Sequence, residues 1–110
     1  MQEQTIFHKI LAKELPSTVV FEDEDTLAFL DIHPKAKTHV LFVPKRFVAS
    51  VADATGENAD LPGMLIEKAR VFAEEKGIIG YRLTFNVGKG GGQEVPYLHL
   101  HFLSEQELDD

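Results

Sequence analysis

Apolar residues recur at helical spacing at Ile6, Phe7, Ile10 and Leu11, directly after Thr5, and the pattern ends before Pro16. A hydroxyl residue ahead of such a stripe and a proline beyond it predict a short helix. Two β-prone stretches, Thr18–Phe21 and Thr26–Leu30, flank the acidic run Glu22-Asp23-Glu24-Asp25, which reads as a hairpin. After a loop through Asp31-Ile32-His33-Pro34-Lys35, the apolar run His39–Val43 is closed by Pro44 and predicts a strand buried on both faces. Leu61, Leu65, Ala69, Phe72 and Ala73 trace a stripe along a longer helix, from about Glu57 to Lys76. Pro62 falls in its first turn and Gly77 just past its end, positions each residue type favours. Tyr81–Asn86 reads as a strand, Gly88–Gln93 as a glycine-rich loop and Tyr97–Leu103 as a last strand, with an acidic tail (104–110) expected to fray. The order helix, three strands, helix, two strands predicts one α+β domain over residues 1–110. Its core is a five-stranded, mainly antiparallel sheet with two helices packed on it.

The last strand carries the clearest chemistry. Strand alternation sends Tyr97, His99 and His101 to one face, while Leu98, Leu100 and Phe102 turn to the other, toward the helices. Just upstream, Gly88, Gly90, Gly91 and Gly92 allow backbone N–H groups to turn toward an anion and let it approach closely. No Gly-Lys-Ser/Thr ends this loop, so it is not a Walker loop. Two imidazoles beside an anion cradle suggest phosphoryl or nucleotidyl chemistry, since imidazole is a nucleophile near neutral pH. The competing arrangement is a metal site built from His39, His99 and His101. A cupin barrel, whose first motif the strand partly mimics, needs more strands than this length allows.

Composition narrows the choice. Lys plus Arg is 11 against 18 for Asp plus Glu, a formal charge of −7. That balance argues against a polynucleotide surface, which is built from cationic contacts to phosphates, but not against a small nucleotide. The absence of cysteine excludes thiolate metal sites and thiol nucleophiles. No apolar run approaches a membrane span, and a cytoplasmic location is expected.

His99-Leu100-His101 between apolar neighbours, preceded by Gly91-Gly92-Gln93, resembles the histidine-triad superfamily. Within it the chain looks most like the nucleotide-binding branch that hydrolyses purine nucleoside phosphoramidates. The likeness runs from about Thr5 to Leu103 through Thr5-Ile6-Phe7, Phe21-Glu22-Asp23, Leu27-Ala28-Phe29, Asp31-Ile32, Thr38-His39, Val43-Pro44-Lys45, Gly80-Tyr81-Arg82 and Asn86. The resemblance implies that His99 attacks the α-phosphorus to form a nucleotidyl-histidine intermediate, while His101 binds the phosphoryl oxygens. It places Asn86, Gly92 and Gln93 near the phosphate and Asp31 on the ribose hydroxyls. Phe7, Ile10, Phe29 and Ile32 would form the purine pocket. It further implies a homodimer, a purine nucleotide as partner and no cofactor or metal.

The chain departs from that pattern at three places. Tyr97 stands where the triad's first histidine belongs, a residue that would meet the counterpart of His39. A tyrosine keeps the backbone carbonyl thought to orient the nucleophile, so activity is expected to survive. The alternative is a purine nucleotide-binding protein with weak or no catalysis. Glu94 replaces a small hydroxyl residue beside the leaving group, and the tail after Leu103 is short. His8 is expected at the surface on the polar side of the first helix, and His33, Lys35, Lys37, Lys45 and Arg46 as solvated charge and polar loop.

Overall fold

The computed structural model describes residues 4–108. Its order is α1 (Ile6–Leu11), β1 (Val19–Glu22), β2 (Thr26–Leu30), β3 (Thr38–Pro44), α2 (Leu61–Lys76), β4 (Arg82–Thr84) and β5 (Leu100–Ser104). The strands form a single sheet in the order β1-β2-β3-β5-β4, every neighbouring pair antiparallel. This is the α+β architecture that the periodicity predicts. β3 occupies the centre and all seven of its residues are buried, which is why it reads as an unbroken apolar run.

One face of the sheet packs on α2. Ala28, Val40, Phe42, Leu98, Leu100 and Phe102 meet Leu61, Leu65, Ala69 and Phe72 of that helix. α2 starts four residues later than its stripe predicts, because Gly56–Asn58 form a separate 3₁₀ turn. It stops at Gly77, whose φ of 69° is a left-handed conformation that glycine adopts without a Cβ clash.

The opposite face collects Leu27, Phe29, Leu41, Val43 and Tyr97, and α1 covers it through Phe7, with Ile10 and Leu11 at its edge. The helices therefore lie on both faces, and α1 shares a side with the histidines instead of joining α2. Its apolar stripe matches the second cluster, which would otherwise face water.

The final strand is shorter than expected, since residues 97–99 lie outside the ladder; Leu98 N–H bonds to the carbonyl of Val48. The alternation of faces nevertheless continues through them. The tail expected to fray is docked as far as it is described. Gln106 accepts from Thr38 Oγ1 through its backbone carbonyl and from Ile79 N–H through its side chain. The same side chain donates to the carbonyl of Gly77, and Leu108 packs on the core. The polar sequence concealed one glutamine that, through its backbone and side chain, ties three segments together.

Candidate active site

Cross-strand register assembles the site. Phe29 of β2 lies opposite Leu41 of β3, Leu41 opposite His101 of β5, and His101 opposite Thr84 of β4. All four line one cavity of about 1000 Å³, at the upper end of the ~300–1,000 Å³ usual for small-molecule sites. α1 supplies Ile6, Phe7 and Ile10 to one wall, and Asp31, His39, His99, Asn86 and Gly92 line the rest.

The proton positions at the histidines follow from their partners. His99 Nδ1 lies 2.7 Å from the carbonyl oxygen of Tyr97. A carbonyl only accepts, so Nδ1 carries the proton and Nε2 of the neutral ring keeps its lone pair. Burial lowers the pKa of His99, opposed by the Tyr97 carbonyl and by Asp31. His99 retains 7% of its surface and lines the cavity. The ring of Phe7 stands edge-on to it at 5.0 Å.

His39 and His101 form a second chain of protons. The Lys35 N–H donates to His39 Nδ1 at 3.1 Å, so neutral His39 carries its proton on Nε2. That nitrogen is 3.0 Å from His101 Nδ1 and 3.5 Å from Asp31 Oδ2. His101 thus accepts at Nδ1 and holds its own proton on Nε2, a donor suited to a phosphoryl oxygen. Burial, reinforced by His99 and His39, pushes the His101 pKa down to about 4. Burial also lowers that of His39, partly offset by Asp31. One imidazole therefore presents a lone pair and the other an N–H, with both rings neutral.

Three expected contacts are not found. His39 does not meet Tyr97: its ring turns to His101, while the Tyr97 hydroxyl donates to the carbonyl of Pro44 at 2.6 Å. The tyrosine ring is wedged between His8 and Phe47 at 4.8 and 5.1 Å, and burial pushes its pKa up to about 12. Gln93 is absent from the cavity lining; its amide donates to the carbonyls of Ala49 and Val95 and accepts from Gly88 N–H. It staples the loop. The glycine loop is also no open cradle, because the N–H groups of Gly91, Gly92 and Gln93 close onto Gly88 and Lys89 carbonyls. Gly92 borders the cavity with no side chain, which permits close approach, and Asn86 Nδ2 holds the Gly91 carbonyl at 2.9 Å.

The remaining residues divide. Phe7 and Phe29 are core and cavity wall at once, Ile10 is half-buried, and Ile32 stands 82% exposed at the cavity's mouth. His8, expected at the surface, is half-buried against Tyr97. A family model described as the HIT domain matches residues 12–108.

The chain belongs to the HIT domain family.

It is 42% identical over 110 residues to the purine nucleoside phosphoramidase of Escherichia coli strain K12, covering 98% of this chain and 92% of that one. Among solved structures, a HIT family hydrolase from Legionella pneumophila superposes with a TM-score of 0.86 at 42% identity, with 96% of each chain covered. A histidine triad protein from Clostridium difficile gives 0.88 at 39%, covering 100% of this chain and 98% of that one. The fold is therefore that of these HIT relatives.

Sequence reasoning missed Arg82 and Thr84, which line the HIT cavity with Asn86, and gave Lys35 only a solvated role although it lines the same space. The period-two run Arg82-x-Thr84-x-Asn86 was the available signal. Asp31, His39 and His101 bring one ligand atom each within 4.8 Å of one another, the spacing of a metal site. The proton logic opposes that use. With Nδ1 accepting from Lys35, neutral His39 has no lone pair on Nε2 to give a metal, whereas metal-bound histidines donate from their second nitrogen. His99 lies outside this cluster.

Proposed function

We propose that the chain is a hydrolase of purine nucleoside phosphoramidates, or of related α-phosphate esters and anhydrides, working through a nucleotidyl-histidine intermediate. The observation that carries the reading is the bond from His99 Nδ1 to the Tyr97 carbonyl, which leaves Nε2 unprotonated at neutral pH. The name of the Escherichia coli relative supports the substrate class. In the first half-reaction Nε2 of His99 forms a bond to the α-phosphorus as the P–N bond breaks. The amine leaves with the bonding pair and takes a proton from solvent. The Tyr97 carbonyl steadies the positive charge that spreads to Nδ1, and His101 Nε2–H meets a phosphoryl oxygen. Water then adds to phosphorus, loses a proton and releases the nucleoside monophosphate with His99 restored. Asp31 accepts from the ribose hydroxyls, and Phe7, Ile10, Phe29 and Ile32 hold the base. Asn86 and Gly92 border the phosphate. The protein works as a cytoplasmic homodimer and without a metal.

The test is turnover of an adenosine or guanosine phosphoramidate by the wild type, His99→Ala and Tyr97→His, with rapid quenching to capture an adduct on His99. Turnover and adduct both vanish in His99→Ala. Equal rates in wild type and His99→Ala, with activity appearing only in Tyr97→His, would instead favour a nucleotide-binding protein that has lost catalysis.

A further inference from the structure

α1 has six residues, too few for a helix to hold in water by itself. Its placement nevertheless matters, because Phe7 stands against His99 and Ile6, Phe7 and Ile10 wall the cavity. Something outside the helix must fix it.

The first contact is a cap. Thr5 Oγ1 accepts from the N–H groups of Phe7 and His8 at 3.1 and 3.3 Å, and Thr5 N–H donates to His8 Nδ1 at 2.9 Å. This is a capping box with an imidazole where glutamate or glutamine usually reaches back. The second contact is aromatic. The same ring meets Tyr97 edge-to-face at 4.8 Å and lies 4.7 Å from Phe47. A carboxylate or amide could make the cap and a phenyl ring the aromatic contact, but an imidazole makes both. Tyr97 is also the residue whose carbonyl holds His99, so one side chain joins the helix of the base wall to the support of the nucleophile.

We infer that His8 is a positioning residue, a clamp that seats α1 on Tyr97 and thereby sets Phe7 against His99 and the nucleotide wall. The inference rests on the purine nucleotide reading. Its test uses the full chain as wild type, His8→Ala, His8→Gln, which keeps the cap, and His8→Phe, which keeps the aromatic contact. Three quantities are read: amide exchange along α1 without ligand, calorimetric affinity for AMP, and kcat and KM with adenosine phosphoramidate. In His8→Ala, α1 amides exchange faster, and AMP Kd and KM rise about tenfold while kcat stays within about twofold, the scale set by one cap and one aromatic contact. Gln and Phe each recover part of that loss. Unchanged exchange in His8→Ala, unchanged Kd, a fall in kcat alone, or no recovery in either partial variant would each overturn the clamp. A wild type that binds no AMP while His8→Ala still loosens α1 removes the nucleotide reading and leaves the clamp standing.

Discussion

The carbonyl of Tyr97 accepts the Nδ1 proton of His99 at 2.7 Å, so Tyr97 holds the His99 ring with its backbone and not with its side chain. Its side chain has a separate task, the hydrogen bond to the carbonyl of Pro44. The two can be separated by mutation. Tyr97→Phe keeps the first and deletes the second, so phosphoramidate turnover should stay within a few-fold of wild type. Stability should fall by about 1–3 kcal/mol, because a buried acceptor loses its partner. Denaturant unfolding beside steady-state kinetics checks both; a collapse of kcat at unchanged Kd for AMP would show that the hydroxyl acts in catalysis.

The acid side of the pH profile follows from three imidazoles, His39 and His99 buried and His101 half-buried. His39, His99 and His101 all have pKa values below the ordinary 6.5, His101 reaching about 4. Each must be neutral for the hydrogen bonds described, so kcat/KM should hold steady as the pH drops through 6.5 and fall only below it. Stability has the same sign. Below pH 6.5 the unfolded chain binds protons at these residues that the folded chain does not, a window that reaches to about pH 4 at His101, so acidification favours unfolding. Calorimetric melting at pH 7.5, 6 and 5 should show a falling Tm, and His101→Asn should flatten that dependence.

In the proposed reaction His101 offers the phosphoryl group one N–H from a neutral ring. His101→Ala should therefore lower kcat by about 10²–10³-fold, the usual loss for one oxyanion donor. The affinity for AMP should change far less. If instead Kd rose while the rate of adduct formation at saturation held, His101 would serve ground-state binding.

Much of this site was legible because strand alternation is a local property. The split of Tyr97, His99 and His101 from Leu98, Leu100 and Phe102 needs only the period of two, and it holds even at residues 97–99, outside the ladder. The partner of His39 was not legible. It depends on a register that places Leu41 opposite His101 and so brings the His39 ring to His101 Nδ1, a relation between segments 62 residues apart. The same limit hid the side of the sheet that α1 covers, the docking of Gln106, and the inward closure of the glycine loop. A glycine run announces an unusual backbone, but where its N–H groups point depends on turns and on Gln93.

Gln93 gives a prediction opposite to the one its neighbourhood suggests. Its amide satisfies two carbonyls and one N–H on three separate residues and does not border the cavity. Gln93→Leu should cost about 1–3 kcal/mol in unfolding free energy through the orphaned backbone groups. Gln93→Glu restores the acceptor for Gly88 but neither donor, so it should recover little. Activity losses in both should follow the loosened loop, visible as faster amide exchange at residues 88–93. Intact stability combined with weakened AMP binding would return Gln93 to direct phosphate contact.

Two glycines separate backbone strain from steric crowding. At Gly92 φ is +84°, and an added Cβ would sit 3.7 Å from Asn86 Nδ2, an ordinary contact. Gly92→Ala should therefore be destabilising through its dihedral angle, by about 1–2 kcal/mol, with the loop shifting to relieve it. Because Gly92 lines the cavity beside His99, that shift should also weaken AMP binding. Gly63 lies in the first turn of α2 with nothing within 4 Å of an added Cβ and no left-handed φ. Gly63→Ala should raise stability by up to about 1 kcal/mol through helix propensity and leave AMP affinity untouched. Opposite signs at the two positions, read by chemical unfolding, would tie the glycine requirement to the backbone angle; a neutral Gly92→Ala would mean that the loop can reach the site in a second conformation.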